Sequence, residues 1–243
     1  MENGPVDLAR RFLDACADIE NALKERYHLV SAGLGSVVRD AERKDPVVRQ
    51  NRTALIVFTE LRNVLSHNAY RGGEPVAAPL LTTVEAVEKL RAEIMRPRLA
   101  MEFAAREVLT ARESDPLPRL LHRMVSLNIS QVPVYMDEGS TRLLTTNAIA
   151  RWIARHMDVD GSVLIEAGTT ADALDYAEEH ETIKREKRTA TAASVLEALT
   201  RDTDSRPGAV LLTENGRPGE KALGILSPAD VPRLVRELTV AAY

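Results

Sequence analysis

Apolar residues recur at steps of three and four along the first hundred residues, which is the spacing of one face of a helix. A glycine-containing break at SAGLG divides this part of the chain, and a second, shorter helical pattern follows and stops near Asp45-Pro46. The sequence therefore predicts an amphipathic helix over residues 6–27 and a shorter one before residue 45. The apolar stripe of the first helix consists of Leu8, Phe12, Leu13, Cys16, Ile19 and Leu23.

Two further helices complete the first part of the chain. The segment VVRQNRTALIVFTELRNVLSHNAY contains neither Gly nor Pro, so it predicts one long central helix that ends before Gly72-Gly73. The segment TTVEAVEKLRAEIM begins with a threonine suited to an N-cap and stops at Pro97. Four helices joined by short connections predict an antiparallel helical bundle over residues 1–97.

Beyond Pro97 the pattern changes to short apolar runs separated by polar turns. The order helix, strand, strand, helix occurs twice, and an irregular acidic stretch separates the two copies. One copy alone has too few elements to bury its sheet, so we expect two small sheets packed against each other with helices outside. The prediction is an α+β chain whose rear, residues 98–243, is a pseudo-symmetric module with copies at about 98–158 and 160–240.

Composition and charge restrict the kinds of core, location and partner that the chain can have. Apolar residues make up 44% of the chain and aromatic residues only 4%, so the interior must consist of Leu, Val, Ala and Ile. The single cysteine, Cys16, cannot form an internal disulfide and is expected as a small core residue. No run approaches the roughly 18 apolar residues of a membrane-spanning helix, and the N-terminus lacks the apolar core of a signal peptide. We therefore expect a cytoplasmic protein that does not associate with a membrane. The net charge of −4 argues against a broad nucleic-acid-coating surface but leaves a small local site open.

The junction between the last strand and the last helix carries candidate chemistry. It reads GILSPAD, with Gly224 able to allow a close backbone approach, Ser227 at the cap position and Asp230 three residues later. Such residues also stabilise a helix start by themselves. The alternative is that the hydroxyl and the carboxylate bind a ligand, since a carboxylate suits ribose hydroxyls and a helix N-terminus suits phosphate.

The twofold repeat together with GILSPAD resembles a tandem pair of CBS domains, over roughly residues 100–240. The signature of that family is Gly, two apolar residues, Ser or Thr, two variable residues and Asp. The resemblance implies that Ser227 and Asp230 hold the ribose and phosphate of a regulatory adenine nucleotide, such as AMP, ATP or a related adenosyl compound. The first copy departs from the signature, with Arg142 in place of Gly and Ala148 in place of Asp, so we expect one competent site, on the second copy.

The long central helix carries a second motif. Arg62 and Asn63 are followed by His67, and Asn63 and His67 share one face because they lie four residues apart. The helical front resembles the HEPN superfamily, whose bundles often act as dimeric, metal-independent ribonucleases through an Arg, a polar residue and a His. In that case His67 would transfer a proton and Arg62 would stabilise charge on the phosphorus during attack by an RNA 2′-hydroxyl. The alternative is that these are polar residues at the end of a packed helix in a non-catalytic bundle.

The two resemblances combine into one leading hypothesis. A nucleotide bound at Gly224, Ser227 and Asp230 would regulate a homodimeric endoribonuclease with its site at Arg62, Asn63 and His67, and RNA is then a candidate partner. No metal-binding motif is present, so no metal or catalytic cofactor is expected. The rival hypothesis is a non-catalytic sensor or scaffold whose helices form a dimer or bind another protein, and a third is that the repeats are purely structural.

Overall fold

The computed structural model of the chain describes residues 4–67, 77–158, 161–162, 168–201 and 206–241. The fold combines helices with two small sheets, as predicted. Its contacts divide the chain into two compact units. The helical unit comprises Met1–Arg98 with Arg233–Tyr243, and the sheet unit comprises Leu99–Pro232. In the described part of the chain, no helix has both the length and the apolar character needed to cross a membrane.

Helix α1 is the central element of the helical unit and contacts α2, α4 and α5. Five of the six residues of its predicted apolar stripe are buried, including Cys16, whereas Leu13 is partly buried. The ring of Phe12 meets Phe58 of α4 edge to face at a centroid distance of 6.0 Å. The helix ends at His28, which adopts a left-handed conformation with φ of 53°. The helices of this unit before residue 98 are α1 (Pro5–Tyr27), α2 (Leu34–Glu42), α3 (Pro46–Gln50), α4 (Arg52–His67) and α5 (Leu81–Met95).

The predicted long central helix is interrupted by one residue, Asn51, and residues 68–70 of that prediction lie outside the described residues. Asn51 is 2% exposed and has φ of −110° and ψ of 21°. Its side-chain amide donates to the carbonyls of Val47 and Leu238, at 3.0 and 3.1 Å, and its side-chain oxygen accepts from the N–H of Val240 at 2.8 Å. An amide side chain that binds neighbouring backbone groups competes with helix geometry, which explains the interruption.

The start of α5 also differs from the prediction. The N-cap residue is Leu80, which makes no side-chain cap bond, so the threonine cap was wrong, whereas the end of α5 at Met95 agrees with a stop at Pro97.

The sheet unit contains two three-stranded sheets with the same strand order and pair orientation. In each sheet the first two strands are parallel and the last two antiparallel. One sheet consists of β1 (Ala111–Arg112), β2 (Gln131–Tyr135) and β3 (Thr141–Thr145), and the other of β4 (Ile183–Lys187), β5 (Ala209–Thr213) and β6 (Gly224–Leu226).

The predicted order of helix, strand, strand and helix is present in both copies. Two elements of the acidic stretch were missed, the strand β4 and the short helix α8. The helices of the rear are α6 (Leu117–Ser126), α7 (Thr146–Arg155), α8 (Thr170–Leu174), α9 (Ala192–Thr200) and α10 (Val231–Leu238).

The last helix begins with one tight turn, a 3₁₀ segment at Pro228–Asp230, before α10 starts at Val231. Pro232 has no N–H, so the α-type bond back to residue 228 cannot form there. The far end of α10 groups with the helical unit: Arg98 binds the carbonyl of Glu237 at 2.6 Å, and Asn51 binds the carbonyl of Leu238. The domain limits of 1–97 and 98–243 stay a prediction.

We predict that Asn51→Ala lowers the free energy of unfolding by about 1–3 kcal/mol, because it leaves a buried N–H and a buried carbonyl without their partner. Urea denaturation measures this change. The matched control is Gln50→Ala, which removes one bond to the hydroxyl of Thr239 and should cost less. Equal losses in the two variants would contradict the role given to Asn51.

Candidate functional site

The second junction is a closed cap. The N–H and the hydroxyl of Ser227 both donate to Oδ2 of Asp230, at 2.8 and 3.2 Å, and the N–H of Asp230 donates to the carbonyl of Ser227 at 2.9 Å. This arrangement stabilises the first turn of the helix in the way that a capping box does. Among the described residues, no hydrogen bond to the other carboxylate oxygen of Asp230 is present, which leaves that oxygen able to accept from a ligand.

Gly224 packs closely against the segment that contains Met101 and Ala104. A Cβ at this position would be 2.8 Å from the Cβ of Ala104 and 3.3 Å from the sulfur of Met101. The contact is next to an antiparallel bridge in which Ala105 and Ile225 exchange backbone hydrogen bonds of 3.2 and 3.1 Å. The close approach that Gly224 allows is therefore to the segment after residue 100.

A cavity of about 370 Å³ lies in the sheet unit where the two junctions meet. We call it the junction cavity. Residues Thr145, Thr146 and Asn147 of the first junction line it, and Pro228 of the second junction does so as well. The first junction thus lines the cavity with three residues and the second with one. The predicted site residues Gly224, Ser227 and Asp230 are not among its lining residues. The remaining lining residues are Ser130, Gln131, His180, Glu181, Arg206, Pro207 and Gly208.

Glu181 organises one wall of the junction cavity. The carboxylate is 7% exposed and accepts from the hydroxyl of Thr145 at 2.6 Å, from the N–H of Glu178 at 2.8 Å and from Arg151 at 3.2 Å. Burial acts to raise the pKa of Glu181, but these hydrogen bonds outweigh it and hold the pKa below its usual value. The stabilisation from this carboxylate is therefore complete above its ordinary pKa and is lost as the pH falls through the lower, folded-state pKa.

Gln131 has a buried polar atom and lines the junction cavity. Its side-chain oxygen is buried, and no described residue donates a hydrogen bond to it. A buried acceptor without a donor costs free energy, and a ligand N–H would remove that cost. Arg206, on the same cavity, is exposed and has the positive charge that a phosphate group attracts.

Sequence reasoning did not find Gln131, Glu181 or Arg206 as site residues. Gln131 starts the strand QVPVY, and Arg206 precedes the corresponding strand of the second copy. A search for polar residues at the start of both repeated strands would have identified these two. Glu181 lies in the acidic stretch and has no motif that marks it.

A second cavity, of about 580 Å³, lies in the helical unit between α2 and α4. We call it the α2–α4 cavity. Arg62 and Asn63 both line it, and a guanidinium nitrogen of Arg62 is 3.4 Å from the side-chain oxygen of Asn63. The structure therefore brings two of the three predicted catalytic residues to one cavity. His67 is the last residue of α4, and its side chain lies outside the described residues.

Cys16 has no chemical role in this arrangement. Burial raises the pKa of its thiol to about 12, an effect that the nearby charge of Arg62 only partly opposes. A thiol of this kind is not reactive, in agreement with its prediction as a core residue.

Glu178, His180 and Glu181 form a group whose potential ligand atoms lie within 4.8 Å of one another. Arg151 already binds both carboxylates, at 2.6 Å from Glu178 and 3.2 Å from Glu181. Because a guanidinium occupies the position that a cation would need, we assign no metal to this group.

No family model matches the chain, and no curated protein matches it. Solved structures of CBS-domain proteins do. A CBS domain-containing protein of unknown function from Kribbella flavida DSM 17836 is 16% identical, with a TM-score of 0.44, over 57% of this chain and 99% of its own.

Two other solved structures contain adenosyl ligands. The CBS domain of a bacterial CNNM/CorC family Mg²⁺ transporter in complex with ATP is 16% identical, with a TM-score of 0.43, over 64% of this chain and 96% of its own. A CBS domain pair in complex with 5′-methylthioadenosine and S-adenosylmethionine is 15% identical, with a TM-score of 0.39, over 57% of this chain and 95% of its own.

Proposed function

We propose that the sheet unit is a tandem CBS pair that binds an adenine nucleotide in the junction cavity, and that this ligand regulates the helical unit. The observation that carries the proposal is that residues of both strand-to-helix junctions line one cavity, together with Gln131, whose side-chain oxygen is buried and has no partner among the described residues. The matching strand order of the two sheets supports a repeated module.

The lining groups suit the parts of an adenine nucleotide. The oxygen of Gln131 can accept from the exocyclic amino group of adenine, a pairing that Gln makes with this base elsewhere. Arg206 can bind phosphate. Asp230 does not line the cavity but follows the lining residue Pro228 by two positions, and its remaining carboxylate oxygen can accept from a ribose hydroxyl. Ser227 would then position Asp230 through the bonds of their cap.

Helix α10 offers a connection between the nucleotide and the helical unit. It starts one residue after Asp230, and the carbonyl of Leu238 at its far end is bound by Asn51, which immediately precedes α4. A nucleotide that binds two arrangements of this helix with different affinity would shift their populations, whereas equal affinity would shift nothing.

The helical unit is proposed to act as a HEPN-type, metal-independent ribonuclease. Arg62 and Asn63 lie together in the α2–α4 cavity, and His67 follows on the same helix. In this mechanism His67 takes the proton from the attacking 2′-hydroxyl, and Arg62 stabilises the negative charge that develops on the phosphoryl oxygens. Two copies of the chain would combine their motifs in a homodimer.

The rival function is a non-catalytic sensor whose helices form a dimer or bind a partner protein. The observation that favours it is apolar exposure on α4, where Ile56 and Val64 are 39% and 47% exposed. A pair of exposed apolar side chains on one helix suits an interface with another helix.

We predict that AMP, ATP or S-adenosylmethionine raises the melting temperature of the wild-type chain. A ligand present at one hundred times its Kd stabilises the folded state by about 2.7 kcal/mol. Gln131→Met, which removes the acceptor but keeps the volume, should weaken AMP more than IMP, because IMP lacks the amino group. Differential scanning fluorimetry with these nucleotides measures both effects.

The variant Asp230→Ala tests the nucleotide site most specifically, because Asp172 forms a similar helix cap elsewhere in the chain and provides a matched control. Asp172 accepts from the N–H and the hydroxyl of Thr169, both at 2.8 Å, in a cap of the same kind. Both Asp→Ala variants lose a cap, but only Asp230→Ala should lose the ligand-induced shift. A full shift in Asp230→Ala would remove Asp230 from the site, and no shift in the wild type with any nucleotide would contradict the sensor.

For the ribonuclease, we predict that the wild-type chain cleaves single-stranded RNA in the presence of EDTA and that His67→Ala slows cleavage by roughly 10²- to 10⁴-fold, the usual contribution of a general acid or base. Gel analysis of end-labelled RNA measures the rate, with and without the nucleotide found above. His122→Ala, an exposed histidine on α6, is the control and should cleave normally. Absence of cleavage by the wild type, or normal cleavage by His67→Ala, would favour the non-catalytic sensor.

A further inference from the structure

The α2–α4 cavity has more positive charge than the proposed catalytic residues require. Three arginines line it: Arg39 from α2, and Arg52 and Arg62 from α4. The carboxylates on its wall are those of Glu42 and Glu60, so the cavity is positive by one charge in a chain whose net charge is −4. Its volume of about 580 Å³ is in the range of ligand-binding sites.

Arg39 and Arg62 are available to a ligand. Arg39 donates to the hydroxyl of Ser36 at 3.3 Å, and Arg62 to the side-chain oxygen of Asn63 at 3.4 Å, so both partners are neutral and both bonds are long. Within the described ranges, neither guanidinium has a carboxylate at ion-pair distance. Each guanidinium has five N–H donors, so most of them remain for an anion.

Arg52 is paired, but weakly held. Its Nε is 3.0 Å from a carboxylate oxygen of Glu42, and the two side chains are 58% and 32% exposed. Solvent screens exposed ion pairs of this kind, so they contribute little. An incoming phosphate group can therefore compete with Glu42 for Arg52.

The chemistry of the wall favours phosphate esters. A guanidinium matches the oxygens of a phosphate with two parallel hydrogen bonds, and the hydroxyl of Ser36 and the amide of Asn63 add neutral donors. Arginines on two helices can meet more than one phosphate of a nucleic-acid strand. Ile56 lines the same cavity and offers an apolar surface to a base.

We propose that the α2–α4 cavity binds the phosphate groups of single-stranded RNA, and that Arg39 and Arg52 form a phosphate-binding subsite beside Arg62. The inference rests on the proposed ribonuclease function in taking RNA as the ligand, but it does not require cleavage. Arg39 and Arg52 are binding residues that hold the strand while Arg62 meets the reacting phosphate.

The test measures RNA affinity in the full chain with His67→Ala, which prevents cleavage during the measurement. Fluorescence anisotropy with a labelled single-stranded RNA is followed for Arg39→Gln, for Arg39→Gln combined with Arg52→Gln, and for the control Arg43→Gln. Arg43 follows α2, is exposed and does not line the cavity. All variants are first compared by thermal melting, so that a folding defect is not mistaken for a binding defect.

We expect Arg39→Gln to weaken RNA binding roughly tenfold, as for the loss of one charge-assisted hydrogen bond, and the double variant to weaken it further. The slope of log affinity against log salt should become shallower by about 0.7 for each phosphate group that the variant no longer neutralises, as for single strands. Arg43→Gln should leave both quantities unchanged. RNA affinity and salt slope that are the same in Arg39→Gln as in Arg43→Gln would overturn the proposal.

Two further probes identify the source of the anion. Labelled AMP tests a free mononucleotide, and poly-L-glutamate tests an acidic protein segment. Loss of AMP binding in Arg39→Gln with unchanged RNA binding would make the cavity a mononucleotide site, and equal affinity for poly-L-glutamate and RNA would make it a protein site. Either result overturns the RNA proposal.

The outcomes also separate this inference from the ribonuclease. Binding of RNA that depends on Arg39, in a wild-type chain that cleaves nothing, keeps the subsite and contradicts only the catalysis. Cleavage that depends on His67, with no effect of Arg39→Gln on affinity, keeps the catalysis and overturns only the subsite.

Discussion

The carboxylate of Glu181 is buried where β3 becomes α7, and its hydrogen bonds connect the segments that form one wall of the junction cavity. It accepts from the hydroxyl of Thr145 at the first junction and from Arg151 on α7. A buried carboxylate without these partners would be costly, so the junction, the helix and the acidic stretch before β4 are held in one arrangement. The hydroxyl of Thr145 donates to Glu181 in this network, and its oxygen also accepts from the N–H of Ala148.

The first junction therefore has a structural role, the hydrogen bonding of Thr145, that no motif in its sequence indicates. The N–H of Ala148 donates to the hydroxyl of Thr145, which itself donates to the carboxylate of Glu181, 36 residues away in sequence. At the second junction Asp230 caps its own helix. The first helix start is therefore capped by a hydroxyl and the second by a carboxylate. Among the described residues, only one oxygen of the Asp230 carboxylate has a hydrogen-bond partner.

The sequence predicted elements well where one face is continuously apolar and less well elsewhere. Helix α1 was predicted within one residue at its start because seven of its residues form a buried stripe. Strand β4 was missed because its sequence, IKREK, has one apolar residue, and its pairing with the fully buried strand β5 is what makes it a strand. The interruption at Asn51 depends on residues almost 190 positions away, an interaction that local pattern cannot contain.

The candidate sites could likewise be predicted only where their residues are close together in sequence. The positions of Ser227 and Asp230 could be predicted because a helix cap is local in sequence. The grouping of Gln131, Glu181 and Arg206 around one cavity could not be predicted, because it depends on the packing of two repeats. Arg39 likewise joins Arg62 only through the packing of α2 against α4.

Hydrogen–deuterium exchange of the full chain with and without AMP or ATP tests whether an adenine nucleotide binds in the junction cavity. We expect slower exchange of backbone amides in residues 129–132, 145–148 and 207–210, with no change in α1. Slower exchange confined to α2 and α4, or no change in any of the three segments under conditions where binding is saturated, would contradict it.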